Sequence, residues 1–550
     1  MKYNFVSIFI FVWMYSVSHL CAQENVSKTD PWCPDLGSGK YKNPVIHADY
    51  SDPDAIRVGN DYYLVSSSFG HFPGLPILHS KDLISWSLIG HAVQSYPFPE
   101  FEKPQHGNAI WAPSIRYHNS EFYIYFCDPD RGVFMTKAKH PEGPWETLRH
   151  IRKVTGWIDC CPFWDEDGSA YLVHAFANSR CGIKSILTLN RMNAEGTEVY
   201  DDGILIFNGQ KDHPTIEGPK LYKRNGYYYI FAPAGGVKRG WQTVLRSKNI
   251  VGPYEDKITL EQGSTDINGP HQGAWITTQT GEDWFLHFQD RYAYGRIVHL
   301  QPMKWENDWP VMGIDYNKNG IGEPFSEYRK PDVGYTYPVK NPQTNDEFNN
   351  SILEFQWQWE SNFKNHWYSL KAKEGYLRLY SGGYTIDDKN LWTLGRLLLQ
   401  KMPAAKFVAT TKLDFNANTH GEKAGLLVFG TDYSYIAIEK NKNAYTISQI
   451  ICRDAKSGTE EEKKGEVKVN GKDVYFKVEV RPENENDSIP KVICNFSYSF
   501  NGEIFTILGK PFIAKEGQWV GAKVGVFSVS PESSKNCGYT DFDWFRFYNE

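Results

Sequence analysis

Asn225-Gly226-Tyr227-Tyr228-Tyr229-Ile230 is a tight turn running into an aromatic strand, and the chain repeats the pattern. The same order of turn residues, aromatic, then Leu or Ile appears at Gly59-Asn60-Asp61-Tyr62-Tyr63-Leu64 and Asn119-Ser120-Glu121-Phe122-Tyr123-Ile124. It appears again at Asp167-Gly168-Ser169-Ala170-Tyr171-Leu172 and Gly281-Glu282-Asp283-Trp284-Phe285-Leu286. Gly, Asn and Asp reverse the backbone cheaply, and aromatic and β-branched residues suit a pleated, half-buried strand. The aromatics at 63, 123, 171, 229 and 285 stand 60, 48, 58 and 56 residues apart. Five all-β units of that length predict a five-bladed β-propeller over residues 32–330. Five unrelated hairpins in a sandwich are the alternative.

One strand upstream of each aromatic lies a residue that can do chemistry. Asp52, Trp111, Asp159, Glu217 and His271 precede their markers by 11, 12, 12, 12 and 14 residues. In a propeller the first strand of every blade lines the central axis, so equivalent positions converge on one axial pocket. Three of the five are carboxylates. Acids that share a pocket repel, which raises some pKa values and leaves others low. Such a split supplies an acid and a base near neutral pH. Glycoside hydrolysis needs that pair on opposite faces of a sugar ring, ~6.5–9.5 Å apart for an inverting enzyme. A lone Asp or Glu in a β protein is ordinarily a solvated charge, so the reading rests on equivalent placement. Metal binding is the rival chemistry: three carboxylates with His271 could hold Ca²⁺, in a structural or electrostatic rather than catalytic role.

Composition agrees with a sugar-handling β protein. Of 550 residues, 15% are aromatic, with 18 Trp and 34 Tyr, and 41% are hydrophobic, enough for sizeable cores. Flat C–H faces of sugars pack on such rings. Lys and Arg number 59 against 65 Asp and Glu, a net charge of −6, and no basic block occurs, which argues against a nucleic-acid partner. Lys2, the apolar run from Phe5 to Tyr15 and the small Ala22 read as a signal peptide over residues 1–22. The mature protein is then exported, periplasmic or extracellular, and no other run is long enough to span a bilayer. A lipoprotein anchored at Cys21 is the less favoured reading. Eight cysteines remain beyond Cys21, with no CxxC or His-rich spacing, which argues against zinc.

Several motifs together resemble glycoside hydrolase family 43. They are Asn43-Pro44-Val45, Asp49-Tyr50-Ser51-Asp52-Pro53-Asp54, Ser66-Ser67-Ser68-Phe69, Phe72-Pro73-Gly74, His79-Ser80-Lys81-Asp82-Leu83, Trp111-Ala112-Pro113, Glu217-Gly218-Pro219 and Gly295-Arg296, in order over residues 40–330. The resemblance implies inverting enzymes on a five-bladed propeller: β-xylosidases, α-L-arabinofuranosidases and arabinanases. It implies Asp52 as general base, Glu217 as general acid, and Asp159 as the residue that tunes and orients the acid. It implies Phe69 and Trp111 as walls of the sugar pocket. His271 is implied as an axial histidine near the base and sometimes near calcium, and Arg296 as a contact to sugar hydroxyls. No cofactor is implied as required. Gly70-His71 stands where many β-xylosidases have a bulkier pair ending in Trp, so His71 is expected to reshape the subsite. Cys160-Cys161 beside Asp159 are packed thiols or a vicinal disulfide, with packing favoured.

Residues 331–345 read as a Pro-, Asn- and Lys-containing linker, and alternating strands from 346 to 550 predict a β-sandwich. This half resembles the concanavalin-like sandwich of exo-acting family members, where it packs on the propeller and sends a loop to the pocket rim. A separate carbohydrate-binding module on a flexible tether is the alternative, with Trp357, Trp359 and Trp367 as platforms; alternating Trp in a strand is more often core. Glu460-Glu461-Glu462-Lys463-Lys464 reads as a solvated loop. The expected function is exo-hydrolysis of terminal pentose from xylan- or arabinoxylan-derived oligosaccharides, β-xylosidase first and α-L-arabinofuranosidase second. A non-catalytic sugar-binding propeller remains as a different class.

Overall fold

In the computed structural model, described residues run from 30 to 549, apart from 385–387, 443, 485–486, 488 and 532–535. The expected signal peptide and Cys21 lie outside them. Consecutive strands form five four-stranded antiparallel sheets over residues 54–93, 111–153, 157–208, 220–260 and 271–312. Tyr63, Tyr123, Tyr171, Tyr229 and Phe285 each fall in the second strand of a sheet. The inner strands are Asp54–Val58, Trp111–His118, Trp157–Trp164, Lys220–Arg224 and His271–Thr277. They pack on one another in order, blade 4 meeting blade 5 through its second strand, and the fifth packs back on the first. The five sheets are therefore the blades of a closed propeller.

Ring closure is made by the chain that precedes blade 1. Ile46 and Val298 exchange backbone hydrogen bonds, and Tyr50 N–H donates to Arg296 O. Asn43 accepts from Leu300 N–H through Oδ1 and donates through Nδ2 to Leu300 O and Phe325 O. Strands Asp35–Gly37 and Lys40–Lys42 complete a small sheet with Glu327–Arg329, which follows blade 5. Closure thus lays Asp49 to Asp52 beside Arg296. Between blades the packing is aromatic and aliphatic, with Trp86, Tyr62 and Trp284 essentially fully buried. Each such side chain contributes ~1.5–3 kcal/mol by leaving water.

The second half is a sandwich of two sheets with eight strands each among the described residues. Trp357, Trp359 and Trp367 are buried in its main core with Phe407, Leu426 and Phe545, so they are packing residues, not platforms. Residues 331–345 carry no helix or strand but are pinned to blade 1, where Gln343 exchanges hydrogen bonds with the Leu88 backbone. The two halves are bonded rather than tethered. Phe72 and Trp359 exchange backbone hydrogen bonds of 3.0 and 2.7 Å, and the Asn362 side chain bridges the Tyr96 N–H and C=O. This overturns the flexible-module alternative. The solvated-loop reading of Glu460 to Lys464 also fails at Glu461, whose carboxylate accepts from Tyr433, Tyr435 and Lys423, while Glu462 begins a strand. No helix of the described residues is long and apolar enough to cross a membrane.

Candidate active site

Backbone geometry turns the candidate residues inward. The inner strands of blades 2, 3 and 5 break register between Trp111 and Ser114, between Ile158 and Cys161, and between His271 and Gly273. A bulge of this kind re-aims a side chain locally. In blades 1 and 4 the equivalent residues, Asp52 and Glu217, stand just before the inner strand. Asp52, Phe69, Ala112 and Asp159 all have left-handed backbones, with φ of 53, 50, 35 and 59°. Such conformations are strained for non-glycine residues and persist where the surroundings impose them. Four of them around one cavity is a local cost concentrated at the site.

That cavity has a volume of about 140 Å³ and is lined by Asp52, Asp159, Glu217, Phe69, Trp111 and Arg296, with Ala112, Ile158, Val237, Gln272 and Trp519. Asp52 is held by three groups. Ser51 and Ser67 hydroxyls donate to Oδ2 at 2.7 and 2.6 Å, and Arg296 Nη1 donates to Oδ1 at 3.1 Å. Arg296 is itself fixed through the same nitrogen to Ser51 Oγ and through its backbone N–H to Asp49 Oδ1. Charge-assisted bonds of this kind are short and strong and fix the carboxylate's orientation. Asp159 Oδ2 accepts the Gly218 N–H at 2.8 Å, so it grips the backbone immediately after Glu217. Burial first, then the charges of Glu217 and Asp52, push the Asp159 carboxyl well above the usual carboxylate range. The cluster therefore keeps a proton at a pH where isolated acids have lost theirs.

Glu217 is the more open acid, with 30% of its side chain exposed, and His271 Nε2 lies 3.4 Å from its Oε1. His271 is buried beneath Glu217 and does not line the cavity. Both of its ring nitrogens lack a hydrogen-bond partner. Calcium takes six to eight oxygen ligands, waters among them, and among the described residues Glu217 is the carboxylate that reaches this ring. Phe69 and Trp111 meet edge-on at 6.0 Å and form one apolar wall.

Several lining residues escaped the sequence. Trp519 comes from the sandwich and meets Trp111 at 6.0 Å. Its loop is tied down by Gly521, whose N–H donates to Asp49 Oδ2 and whose Cα leaves no room for a Cβ, which would stand 2.6 Å from Gly295 N. Ser67 belongs to the Ser66-Ser67-Ser68-Phe69 motif, and its bond to Asp52 joins residues that no local spacing pairs. The expectation for His71 fails: it is absent from the cavity and points to Glu360 at the domain junction, 3.2 Å away. Cys160 and Cys161 are buried free thiols, as packing predicts, and Cys161 Sγ accepts from Arg116 and from the Leu221 N–H.

The family model for glycosyl hydrolases family 43 matches residues 41–310, and the model for the β-xylosidase C-terminal concanavalin A-like domain matches 345–548. A protein of Xylanibacter ruminicola named a putative β-xylosidase is 40% identical over 499 residues, covering 90% of this chain and 87% of its own. The chain belongs to glycoside hydrolase family 43. It is accordingly a glycoside hydrolase, with the propeller and sandwich of that family. A non-reducing-end α-L-arabinofuranosidase of Bacteroides ovatus is 28% identical over 548 residues, 93% of this chain and 95% of its own. Among solved structures, a family-43 protein of Bacillus licheniformis superimposes with a TM-score of 0.79 at 27% identity, covering 93% of this chain and 100% of that one.

Proposed function

We propose that this family-43 enzyme is an inverting, exo-acting β-xylosidase that releases terminal xylose from xylan-derived oligosaccharides. The observation that carries the reading is three carboxyls sharing one small cavity, walled on one side by Trp519 of the sandwich. A second cavity of about 310 Å³, lined by Asp290, Tyr292 and Glu516, shares Val237, Arg296 and Trp519 with the first, so space for a further part of the substrate adjoins the acids. Phe69 and Trp111 offer the ring's C–H face an apolar wall, and Arg296 offers its hydroxyls a donor.

In this reading Asp52 takes a proton from a water that attacks the anomeric carbon. Glu217 gives a proton to the departing glycosidic oxygen, and the single displacement inverts the anomeric centre. Asp159 positions Glu217 through the Gly218 N–H and itself holds a proton more tightly than an isolated carboxyl. His271 positions Glu217 from below. No step passes through a metal. Export, the proposed setting for this reaction, is supported by the leader pattern at residues 1–22.

The test is a pair of substrates, nitrophenyl β-D-xylopyranoside and nitrophenyl α-L-arabinofuranoside, with Glu217→Ala as control. Faster turnover of the xyloside, with α-xylose as the first anomer seen by proton NMR, is the expected result. The arabinofuranosidase reading is supported by the Bacteroides relative and is carried if the arabinoside is preferred. Release from neither, with natural oligosaccharides also untouched, returns the pocket to sugar binding alone.

A further inference from the structure

Three side chains remote in sequence meet at the propeller–sandwich junction, outside the sugar cavity. His71 lies between the second and third strands of blade 1, His106 in the segment leading to blade 2, and Glu360 just after the sandwich strand Gln358–Trp359. Gly70 brings the two histidines together, because a Cβ there would stand 2.6 Å from Gln105 O. His71 Nε2 is 3.2 Å and His106 Nδ1 is 3.6 Å from the same oxygen, Glu360 Oε2. The three donor atoms lie within 4.8 Å of one another. The side chains are 4, 11 and 1% exposed.

Their other atoms are already engaged. His71 Nδ1 lies 2.8 Å from Ser68 O, and His106 Nε2 lies 2.7 Å from Trp392 O. A carbonyl oxygen only accepts, so these two nitrogens carry the ring protons. Each neutral ring then aims a lone pair at Glu360 Oε2. Glu360 Oε1 is taken by the Lys523 ammonium at 2.7 Å. Three lone-pair atoms thus face one another around a gap that needs a cation: a proton or a metal. Backbone-anchored imidazoles and a hydrogen-bonded carboxylate are what orient metal ligands. For bonds of about 2.0–2.1 Å, tetrahedral ligand atoms stand about 3.3 Å apart, and the two measured edges, 3.2 and 3.6 Å, bracket that value.

We propose that His71, His106 and Glu360 form a structural site for a divalent transition metal, zinc by its donor set, that clamps the propeller to the sandwich. Two imidazoles and one carboxylate suit zinc rather than calcium. Water would fill the fourth position from the side of His106, the most exposed of the three. Lys523 and Lys401 both bear on the cluster, and Asp49 offsets part of their charge. Metal entry forms bonds to the free lone pairs of the two neutral imidazoles, so no ring proton has to leave. The site adjoins Gly107, whose carbonyl accepts from Trp111 Nε1, and so it would stiffen a wall of the sugar cavity without touching the sugar. The proposal does not depend on the hydrolytic reading.

The experiment uses the full-length protein, stripped with EDTA and reloaded with Zn²⁺. The expected results are one zinc per chain retained through desalting, a higher unfolding midpoint than the stripped protein, and no such rise with Ca²⁺. Co²⁺ should give the visible absorption of a four-coordinate site. His71→Ala and His106→Ala keep the Glu360–Lys523 pair and should fold, yet lose at least about 100-fold in zinc affinity together with the cobalt spectrum. No zinc retained by the wild-type chain, or equal retention by either variant, overturns the proposal.

Discussion

Two buried clusters of charge, one on the propeller axis and one at the domain junction, follow opposite rules. At the junction Glu360 has a direct lysine partner, Lys523, and two imidazoles besides. On the axis Asp52, Asp159 and Glu217 share one direct cation, Arg296, which pairs with Asp52. The junction balances its charge and joins two domains. The axis leaves charge unbalanced, strains its backbone at four positions and keeps a proton in reserve. Uncompensated charge weakens a fold, and its concentration at the cavity marks where stability has been given up for chemistry.

The sharpest way to break this contrast is to delete an axial acid. Glu217→Ala and Asp52→Asn are each expected to lower kcat/KM on xylobiose by about 10²–10⁴-fold, with far-UV circular dichroism and the unfolding midpoint retained. A large loss of midpoint would show the axial acids to be structural. The reverse holds at the junction. In EDTA-treated protein, Glu360→Ala strands the Lys523 ammonium in a buried site and should cost about 3–5 kcal/mol, read in thermal and denaturant unfolding.

Asp159 sharpens the comparison further, because the two roles oppose one another in a single side chain. Its pKa is raised in the folded state, by burial and then by Glu217 and Asp52. A carboxyl raised in this way stabilises the fold fully below its unfolded pKa, near 3.9, and that contribution is lost as pH climbs through the folded value. Asp159→Asn keeps an acceptor for the Gly218 N–H and removes the titration. The variant should therefore lose turnover, gain a few degrees of unfolding midpoint at pH 7, and show a flatter decline of stability above about pH 4. The smallest effect is expected at the rim. Trp519→Ala removes an aromatic wall without touching an acid, so KM for xylobiose should rise about tenfold while kcat changes little.

The sequence spoke most clearly where local rules repeat. Turn residues ahead of aromatic strands located the second strand of all five blades, because turns and β-propensity are read within a few residues. The constant offset from each marker then pointed to Asp52, Trp111, Asp159, Glu217 and His271. Four of these the structure brings to one cavity, while His271 sits under Glu217 rather than in the wall. The bulges that aim Trp111 and Asp159 inward left no mark in composition or periodicity, since a bulge is a property of strand pairing. His71 was misplaced because its neighbours in the chain belong to the pocket, while its partner Glu360 lies 289 residues away.

What the sequence determined alone is therefore the kind of element, its repetition and the candidate chemistry, each set by neighbours along the chain. Only the tertiary structure decided that Trp519 of one domain walls a cavity in the other. It alone decided that Ser67 and Arg296 hold Asp52, and that two histidines and a glutamate from two domains face a common gap. Those contacts join residues far apart in sequence. They exist because the ring closes and the sandwich docks, and no local preference encodes where distant strands will meet.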